Sequence, residues 1–412
     1  MLLCIETLKK GVIKMKFNLA ITFLWMMAVL YITTTGSQTV YYVDAINGND
    51  SNTGTSWSLA KATIGAALGL VADGDTVHIA EGNYPERLTL PANVTLLGGF
   101  PSGGGARDPQ AHETIIDGQQ QGTVVTTLLN SNDLLDGFTI TGGQAGKGGG
   151  IYALGSSVFR NLKVVNNQAD LGGGLLCAQD VTIEDCQIMN NRAAVAPAIA
   201  IIGGSTIKDS ITVRKNDIRH NVTTSQGLSG GAVFVTLHLN LDFSYNLVAE
   251  NSAPDGGVFI EESFGEKTLD HNTITRNGNC GLTLKNAFTV LVTNSIIYDH
   301  ALADVELRVD TLSTVKLRYS DIRTIRGPHQ AEQLMSLDPQ FTDPEAGDYT
   351  LKATSPAIAA GDPMTPLEGA GMNADLGAFP YLQQSAQVRS PWRARDQFRT
   401  GSDLPRSHYE VR

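Results

Sequence analysis

One nine-residue pattern recurs through the middle of the chain and determines its fold. Its clearest copies are VRKNDIRHN at 213–221, FSYNLVAEN at 243–251 and LDHNTITRN at 269–277. Each copy begins with an apolar residue, has a small polar residue at position four and an apolar residue at position six, and ends with Asn. The closing residues along the chain are Asn167, Asn191, Asn221, Asn251 and Asn277. They are separated by 24, 30, 30 and 26 residues, a spacing typical of one coil of a β-solenoid.

A second, glycine-preceded segment follows each copy and completes the coil. Its inward pairs are Ile151/Ala153, Leu175/Cys177, Ile199/Ile201, Val233/Val235, Val258/Ile260, Leu282/Leu284 and Val305/Leu307. One coil cannot bury its apolar side alone, but parallel coils stacked about 4.8 Å apart share a core. Stacked Asn side chains can hydrogen bond along the axis, because an amide both donates and accepts. Asn also tolerates the left-handed backbone of turns. The pattern predicts an all-β protein, a parallel β-helix.

Short elements are expected to close the ends of this helix. Ser58 is placed to N-cap a short capping helix over 59–71. Early strands are predicted at 76–79, 88–90, 94–97 and 115–116. Residues 37–381 then form a single domain that includes both caps. Cys177 and Cys186 fall on inward positions, where a thiol packs as a small apolar side chain.

Both ends of the chain differ in composition from this body. Residues 1–36 combine lysines with an apolar run and indicate a signal peptide, starting at Met1 or Met15, with an uncleaved anchor as the alternative. Residues 382–412 are rich in Arg and predict a disordered basic tail. The chain carries a net charge of −11 and each end carries +3, which leaves −17 on the body. An acidic body disfavours nucleic acid as a partner, and disfavours an anionic polysaccharide unless cations mediate the contact. No transmembrane span is expected in the mature chain.

Several motifs in the body resemble those of known β-helix proteins. They are YYVDAINGNDSNTGT at 41–55, DGDTV at 73–77, EGNYPE at 81–86, LLGGF at 96–100, DGFTITGG at 136–143, DPQFTDPEAGDY at 338–349, SPAI at 355–358 and DLGAF at 375–379. Over about residues 40–381 the chain resembles pectin-lyase-like right-handed parallel β-helix proteins of the choice-of-anchor Q domain-containing type. The resemblance implies a right-handed coil and a bacterial protein that is secreted or at the cell surface, with the periplasm as an alternative. It implies no particular activity.

Charged residues on the first strand of each coil form the first candidate site. The outward column is Arg160, Glu184, Arg214, Ser244, Asp270, Thr293 and Arg318. In β-helix polysaccharide lyases, an Arg or Lys removes a proton next to a uronate carboxyl group whose charge is neutralised by calcium on carboxylates. Arg214, Glu184, Asp217 and Asp242 supply these residue types and are our candidate catalytic residues. The alternative is that opposite charges on adjacent coils simply pair, each contributing at most about 1 kcal/mol.

An outward stripe on the glycine-preceded strands forms the second candidate site. Its members are Tyr152, Leu176, Ala200, Phe234, Phe259, Thr283 and Glu306. An exposed stripe would offer aromatic rings for stacking against sugars, with nearby carboxylates to accept hydrogen bonds from hydroxyl groups. The candidate binding residues are Tyr152, Phe234, Phe259, Glu261 and Glu262. The alternative is that another segment covers the stripe, or that the two phenylalanine rings stack on each other.

Oxygen-bearing side chains near the N-terminus form a candidate calcium site. Asp44, Asn49 and Asp50, with Asn47 and Asn52 beside them, have the ligand chemistry that calcium prefers. They lack the spacing and the final Glu of an EF-hand loop, and Gly-Asn-Asp turns also form without metal.

Two functions of different classes follow from these observations. The first is a non-enzymatic, adhesin-like protein whose long face binds an extracellular glycan or a cell-surface partner. This hypothesis predicts an exposed aromatic stripe on one face. The second is a polysaccharide lyase-like, carbohydrate-active enzyme, which needs a free basic residue beside a carboxylate cluster. A purely structural role in the cell envelope is the third alternative.

Overall fold

The structure of the chain is a computed structural model that describes residues 38–203, 210–225, 230–236, 240–310, 313–365 and 373–381. Over this part the chain is an all-β, right-handed parallel β-helix, as predicted. The predicted signal region 1–36 and basic tail 382–412 lie outside the described residues. Among the residues that the structure describes, no helix is long and apolar enough to cross a membrane.

Three long parallel sheets form the walls of the helix. The strands of the first sheet are Val40–Val43, Thr76–Ala80, Thr95–Phe100, Asn132–Asp136, Ser156–Arg160, Val181–Glu184, Ser210–Arg214, Asn240–Ser244, Lys267–Asp270, Val290–Thr293, Val315–Arg318 and Gln330–Glu332. The strands of the second sheet are Gly82–Tyr84, Thr114–Asp117, Thr139–Thr141, Lys163–Val165, Gln187–Met189, Asp217–Arg219, Leu247–Ala249, Thr273–Thr275, Ile296–Tyr298 and Asp321–Ile322. The strands of the third sheet are Leu88–Thr89, Val125–Thr126, Ile151–Ala153, Leu175–Cys177, Ile199–Ile202, Val233–Thr236, Val258–Glu261, Cys280–Lys285, Ala303–Arg308 and Ile325–Arg326.

A fourth sheet, a hairpin and short helices lie beside these three sheets. A short fourth sheet between the second and third sheets contains Gln144–Lys147, Gln168–Leu171, Arg192–Val195 and Val222–Thr223. An antiparallel hairpin near the C-terminus contains Phe341–Asp343 and Asp348–Leu351. Within the described residues the helices are the α-helix Ile64–Leu68 and the 3₁₀ helices Trp57–Leu59 and Pro344–Ala346. The four early strands predicted from the sequence are all present, with bounds that differ by a few residues.

Neighbouring coils pair in register, so that equivalent side chains stack along the axis. Ile183 pairs with Val213, which pairs with Phe243, and the next coil continues with Leu269. All four are fully buried in a single core that runs along the helix. The predicted inward pairs of the third sheet are also buried, which confirms the coil assignment. Cys177 is one of these inward residues. It is a free thiol, and burial raises its pKa to about 12.

Two ladders of buried, hydrogen-bonded Asn and Ser side chains fix this register. In the ladder that joins the second sheet to the following turn, the backbone N–H of Asn191 donates to Oδ1 of Asn221 at 3.0 Å, and its Nδ2 donates at 3.1 Å. Asn221 donates in the same way to Asn251, at 3.0 and 2.9 Å. The other ladder follows the first sheet and contains Asn216, Asn246, Asn272, Ser295 and Ser320. Because buried polar groups are costly when unpaired, a coil out of register would leave donors and acceptors without partners.

The left-handed turn positions are the residues directly before the ladder asparagines. Tyr245, with φ 56°, precedes Asn246, and Glu250, with φ 57°, precedes Asn251. Left-handed backbone is uncommon for such side chains, and it occurs here at equivalent positions of successive coils. The preceding residue turns the chain, and the asparagine can then point its side chain inward to its stacked neighbours.

The N-terminal capping helix is shorter than predicted and starts elsewhere. The structure has an α-helix over Ile64–Leu68 in place of the predicted 59–71. Its N-cap is Thr63, whose hydroxyl accepts a hydrogen bond from the N–H of Ala66 at 3.2 Å, and the side chain of Ser58 is not the cap. The Glu86 carboxylate accepts from the first two N–H groups of the helix, each at 2.8 Å. An acidic partner from the second coil therefore fixes where this helix begins.

The C-terminal segment, which we define as 338–365 and 373–381, folds back along the outside of the second sheet. Its hairpin and the residues after it bury a second apolar cluster against outward residues of that sheet. The buried members of this cluster are Leu247, Ala249, Ile296, Phe341, Tyr349, Leu351, Ala357 and Leu376. The segment thus covers three coils of the second sheet from outside, and it does not simply cap the end of the stack.

A buried carboxyl group near the last coil makes the stability of the fold depend on pH. Asp321 is fully buried, and its Oδ1 accepts from the N–H of Leu337 at 3.0 Å. Its Oδ2 is buried without a hydrogen-bond partner among the described residues. Burial, with a smaller contribution from the charges of Asp304 and Asp338, raises the pKa of Asp321 to about 6. The folded chain therefore holds a proton that the unfolded chain releases at lower pH, so stability falls as the pH rises from about 4 to about 6.

We expect the substitution Asp321→Asn to stabilise the protein at pH 7.5 by about 2 to 3 kcal/mol, because the amide is never ionised. At pH 4 the gain should be close to zero. Thermal unfolding followed by circular dichroism at both pH values measures the difference, and Asp170→Asn, at an exposed carboxyl group, is the matched control. A gain that is equal at both pH values would contradict the assignment.

Candidate functional site

A cavity between the second sheet and the C-terminal segment is the candidate functional site. Its volume is about 420 Å³, within the range of small-molecule sites. Its lining combines aromatic, charged and amide side chains from two distant parts of the chain. The lining residues are Thr275, Arg276, Tyr298, Asp299, Asp338, Gln340, Phe341, Pro344 and Lys352.

Arg276 joins the two walls of the cavity. It is the left-handed residue, φ 54°, that precedes the ladder residue Asn277, so the ladder fixes its position. Its Nη1 donates to the carbonyl oxygen of Pro344 at 3.0 Å, and its Nη2 contacts the Glu345 carboxylate. Its Nε lies 3.6 Å from Oδ2 of Asp299 on the next coil. The hydrogen bond that Arg276 donates to the Glu345 carboxylate raises the pKa of Arg276 above its usual range, so the guanidinium stays charged.

A second arginine and a tyrosine hold the hairpin from neighbouring coils. Nη1 of Arg219 donates to the carbonyl oxygen of Gly347 at 3.1 Å. The hydroxyl of Tyr349 donates to Oε1 of Glu250 at 2.5 Å. Arg219, Glu250 and Arg276 come from three successive coils of the second sheet and its turn. The hairpin is therefore held to a rigid stack by charged hydrogen bonds as well as by apolar packing.

Tyr298 forms the aromatic wall of the cavity. It occupies the outward end of the strand Ile296–Tyr298 and pairs with Thr275 of the preceding coil. The Arg323 guanidinium carbon lies 5.0 Å from the ring centroid, a cation–π contact that holds the ring in place. Burial raises the pKa of Tyr298, and the nearby charge of Asp338 adds to this, so its hydroxyl remains a hydrogen-bond donor at neutral pH.

The wall of the cavity that the C-terminal segment forms carries polar groups. Oδ1 of Asp338 accepts from the backbone N–H of Gln340 at 2.9 Å, which fixes the turn that starts the hairpin. The N–H of Lys352 donates to the carbonyl oxygen of Gln340 at 3.0 Å, which joins the residues just before and just after the hairpin. The side chains of Lys352 and Asp338 are both exposed. Lys352 forms no ion pair with the described residues. The cavity therefore offers donors and acceptors around one aromatic ring.

The structure pairs three of the four candidate catalytic residues with neighbouring charges. Nε of Arg214 lies 2.9 Å from Oε1 of Glu184 on the preceding coil. Asp217 belongs to the second sheet, where its Oδ2 lies 2.6 Å from Nη2 of Arg219. Asp242 is exposed and stacks beside Thr212. This supports the alternative that these charges pair along the helix, and it leaves Arg214 poorly placed to act as a free base.

Most of the candidate binding stripe is buried, so it does not form the exposed aromatic face that was predicted. Leu176, Ala200 and Phe259 are buried, and Phe259 has 0% exposure. Leu171 and Val195 of the fourth sheet pack over part of this stripe. Tyr152 and Phe234 are half-buried, and the Phe234 and Phe259 rings stack with their centroids 5.4 Å apart.

The predicted carboxylates beside the stripe lie at the edge of an exposed loop. Glu261 forms an ion pair with Lys285 on the next coil, and Glu262 is exposed. The exposed ring near them is Phe264, 53% accessible, which stacks on Phe288 at 4.6 Å. Sequence patterning missed this pair, because both residues lie in loops outside the strand periodicity.

The candidate calcium loop uses its oxygen atoms as hydrogen-bond acceptors within the fold. The Asp44 carboxylate accepts from the backbone N–H groups of Ile46, Asn47 and Gly103 at 2.8 to 3.1 Å. Asp50 accepts from the N–H groups of Ala62 and Thr63 at 2.8 and 3.0 Å. Oδ1 of Asn49 accepts from the N–H of Ser51 at 2.9 Å. Within the described ranges, no group of three or more His, Cys, Asp or Glu residues is arranged to hold a metal ion. The loop geometry therefore does not support a calcium site.

Comparisons with known proteins agree with the fold. A family model described as "Right handed beta helix region" matches residues 127–297. No curated protein matches the chain. Among solved structures, the chain is similar to a pectate lyase, Pel9A, at 15% identity and a TM-score of 0.55, covering 84% of this chain and 98% of that one. It is also similar to XylC in complex with xylose, at 9% identity, a TM-score of 0.39 and coverages of 74% and 87%. A rhamnogalacturonan lyase follows at 14% identity, a TM-score of 0.29 and coverages of 74% and 90%. The pectate lyase shows that the fold is shared, and the other two scores are too low to support an argument.

Removing the arginine that joins the cavity walls should loosen the C-terminal segment. For Arg276→Met we expect amide hydrogen exchange in the hairpin 341–351 to become roughly tenfold faster, as for the loss of about 1.4 kcal/mol of local stability. Arg214→Met, at an exposed arginine paired with Glu184, should leave that hairpin unchanged. Equal exchange in the wild type and Arg276→Met would show that apolar packing alone holds the segment.

Proposed function

We propose that this protein binds carbohydrate and that the cavity between the second sheet and the C-terminal segment is its binding site. The observation that supports this is that hydrogen-bond donors and acceptors surround the Tyr298 ring. A sugar ring has apolar C–H faces and a rim of hydroxyl groups that donate and accept. A site for it therefore needs an apolar surface and convergent polar groups, which is the composition of this cavity.

The lining matches these needs at particular residues. Tyr298 and Phe341 supply the apolar surface. Asp299 and Asp338 supply carboxylates that can accept from hydroxyl groups, and Gln340 supplies an amide that donates and accepts. The solenoid wall and the anchored hairpin hold these groups in place before a ligand arrives, which lowers the entropic cost of binding.

A location outside the cytoplasm completes this proposal. The apolar run and lysines of residues 1–36 support export, so we propose a secreted or surface protein whose partner is an extracellular polysaccharide or another cell-surface component. The acidic body supports the view that nucleic acid is not a partner.

A polysaccharide lyase is the alternative function. The pectate lyase that shares the fold acts, by its name, on pectate. A lyase built on Arg214 would need that side chain as a base, but its guanidinium already pairs with Glu184 at 2.9 Å. The binding function therefore has the better support from the geometry.

Binding to an array of extracellular glycans, followed by calorimetric titration with the best oligosaccharide, tests the proposal. We expect Tyr298→Ala to weaken binding at least tenfold, about 1.4 kcal/mol, because the aromatic wall is lost. Tyr319→Ala, which removes a half-buried tyrosine in the turn after the first sheet, should retain full affinity. Circular dichroism of both variants confirms that they are folded.

Incubation with uronate polysaccharides, with and without calcium, tests the alternative. If the protein only binds polysaccharide, we expect no increase in ultraviolet absorbance, because no unsaturated chain ends are formed. A calcium-dependent increase that is lost in Arg214→Ala would establish a lyase and overturn a purely binding function.

A further inference from the structure

We propose that a proton on Asp321 holds the turn 334–338 closed against the last coil, and that this turn is a pH-sensitive part of the cavity wall. The turn leads into the C-terminal segment, so its opening displaces one side of the candidate site. As a means of regulating sugar binding, this device rests on the proposed carbohydrate-binding function.

The turn 334–338 joins the last coil to the wall of the cavity. Asp338 lines the cavity and begins the C-terminal segment. The backbone of Met335 holds the turn to the coil: its N–H donates to the carbonyl oxygen of Ser320 at 3.0 Å, and its carbonyl oxygen accepts from the N–H of Ile322 at 2.9 Å. A movement of the turn therefore moves the first residue of the wall.

The carboxyl group of Asp321 lies beneath this turn. Asp321 belongs to the strand Asp321–Ile322, and its Oδ1 accepts from the N–H of Leu337 at 3.0 Å. The residue is 0% exposed, and its Oδ2 has no hydrogen-bond partner among the described residues. Removing a carboxylate from water without compensating hydrogen bonds is costly, whereas the protonated group carries no charge. The closed turn therefore favours protonated Asp321.

Two neighbouring carboxylates strengthen this preference. Burial contributes most to raising the pKa of Asp321 to about 6, and the charges of Asp304 and Asp338 add to it. Although burial alone would raise the pKa of Asp304, its contacts with His300 and Thr324 lower that pKa overall, so Asp304 stays ionised at neutral pH. A negative charge on Asp321 is therefore repelled by both carboxylates.

The other titratable groups near this site do not compensate a charge on Asp321. Tyr298 lies on the neighbouring strand, where burial raises its pKa and keeps the hydroxyl uncharged at neutral pH, and Asp299 after it is a further acid. Arg323 is a cation two residues after Asp321. Its guanidinium is exposed, lies 5.0 Å from the Tyr298 ring centroid and gives no hydrogen bond to Oδ2 of Asp321. Solvent screens an exposed cation, so Arg323 weakens the preference for the proton without reversing it.

The turn is weakly held, so it can open without unfolding the coils. Leu337 is 52% exposed, and Leu334 and Met335 are half-buried. Segments with few buried apolar contacts open locally at a lower cost than the core. Opening gives Asp321 access to water, where the pKa of an aspartate is about 4.

The direction of the pH dependence follows from these two states. Between about pH 4 and pH 6, the closed turn retains a proton that the open turn releases. Opening therefore becomes easier as the pH rises through this range, and it levels off above it. Acid conditions favour the complete cavity wall, and neutral conditions favour its release.

Amide hydrogen exchange of the full chain, measured by mass spectrometry without sugar from pH 4 to pH 7.5, tests the device. The rate at each pH is divided by the intrinsic rate of an unstructured peptide, so that only structural protection is compared. We expect the protection of the N–H groups of Met335 and Leu337 to fall about fiftyfold from pH 4 to pH 7 and then to level off. Their protection should also be lower than that of Asn221 at every pH, because the turn opens locally.

Asp321→Asn keeps an acceptor for the N–H of Leu337 but cannot ionise, so it should remove the pH dependence at Met335 and Leu337. Asp170→Asn, at an exposed carboxyl group, is the matched control and should retain the wild-type profile. If Asp321→Asn does not fold, Asp321→Ser gives the same comparison.

Protection at Met335 and Leu337 that does not change with pH in the wild type, or a change that Asp321→Asn retains, overturns the device. Protection equal to that of Asn221 overturns it as well, because the turn then opens only with the whole chain. None of these results bears on sugar binding, which the glycan array tests separately.

Discussion

Hydrogen bonds between stacked asparagine side chains are the interaction on which the rest of this structure depends. Asn191, Asn221 and Asn251 are fully or almost fully buried, and each donates through both its backbone and its side chain to the next residue. The ladder holds successive coils in one register, so every residue next to it is stacked as well. Glu250 and Arg276 each precede a ladder asparagine and therefore lie one above the other at the edge of the candidate site. The ladder therefore fixes the positions of these site residues.

The candidate site needs a second element, because a stack of regular coils has no concave surface of its own. The C-terminal hairpin supplies that surface by packing Tyr349 and Leu351 against outward residues of the second sheet. Arg219 and Arg276 bond to its backbone carbonyl groups and fix its orientation. A rigid repeat and a non-repetitive segment together make a cavity that neither makes alone. This division explains why charged residues on the open faces of the helix merely pair with each other.

Sequence periodicity predicted the fold because each coil of a solenoid is stabilised by the same contacts with its neighbours, so the same residue types recur in every coil. The Asn spacing and the inward pairs of the third sheet were read directly from residues such as Asn221 and Ile260, and both are buried as expected. The site could not be read in this way. Arg276 and Glu345 are 69 residues apart, and their contact depends on where the hairpin docks, for which no spacing rule exists. The predicted exposure of the aromatic stripe was wrong for a related reason. Leu171 and Val195 belong to a fourth sheet that covers part of the stripe.

A crystal structure of the full chain grown with a disaccharide tests most directly whether the cavity binds sugar. We expect a sugar ring against Tyr298, with hydroxyl groups within hydrogen-bond distance of the carboxylates of Asp299 and Asp338. A disaccharide bound on the loops around Phe264, with only solvent in the cavity, would contradict it.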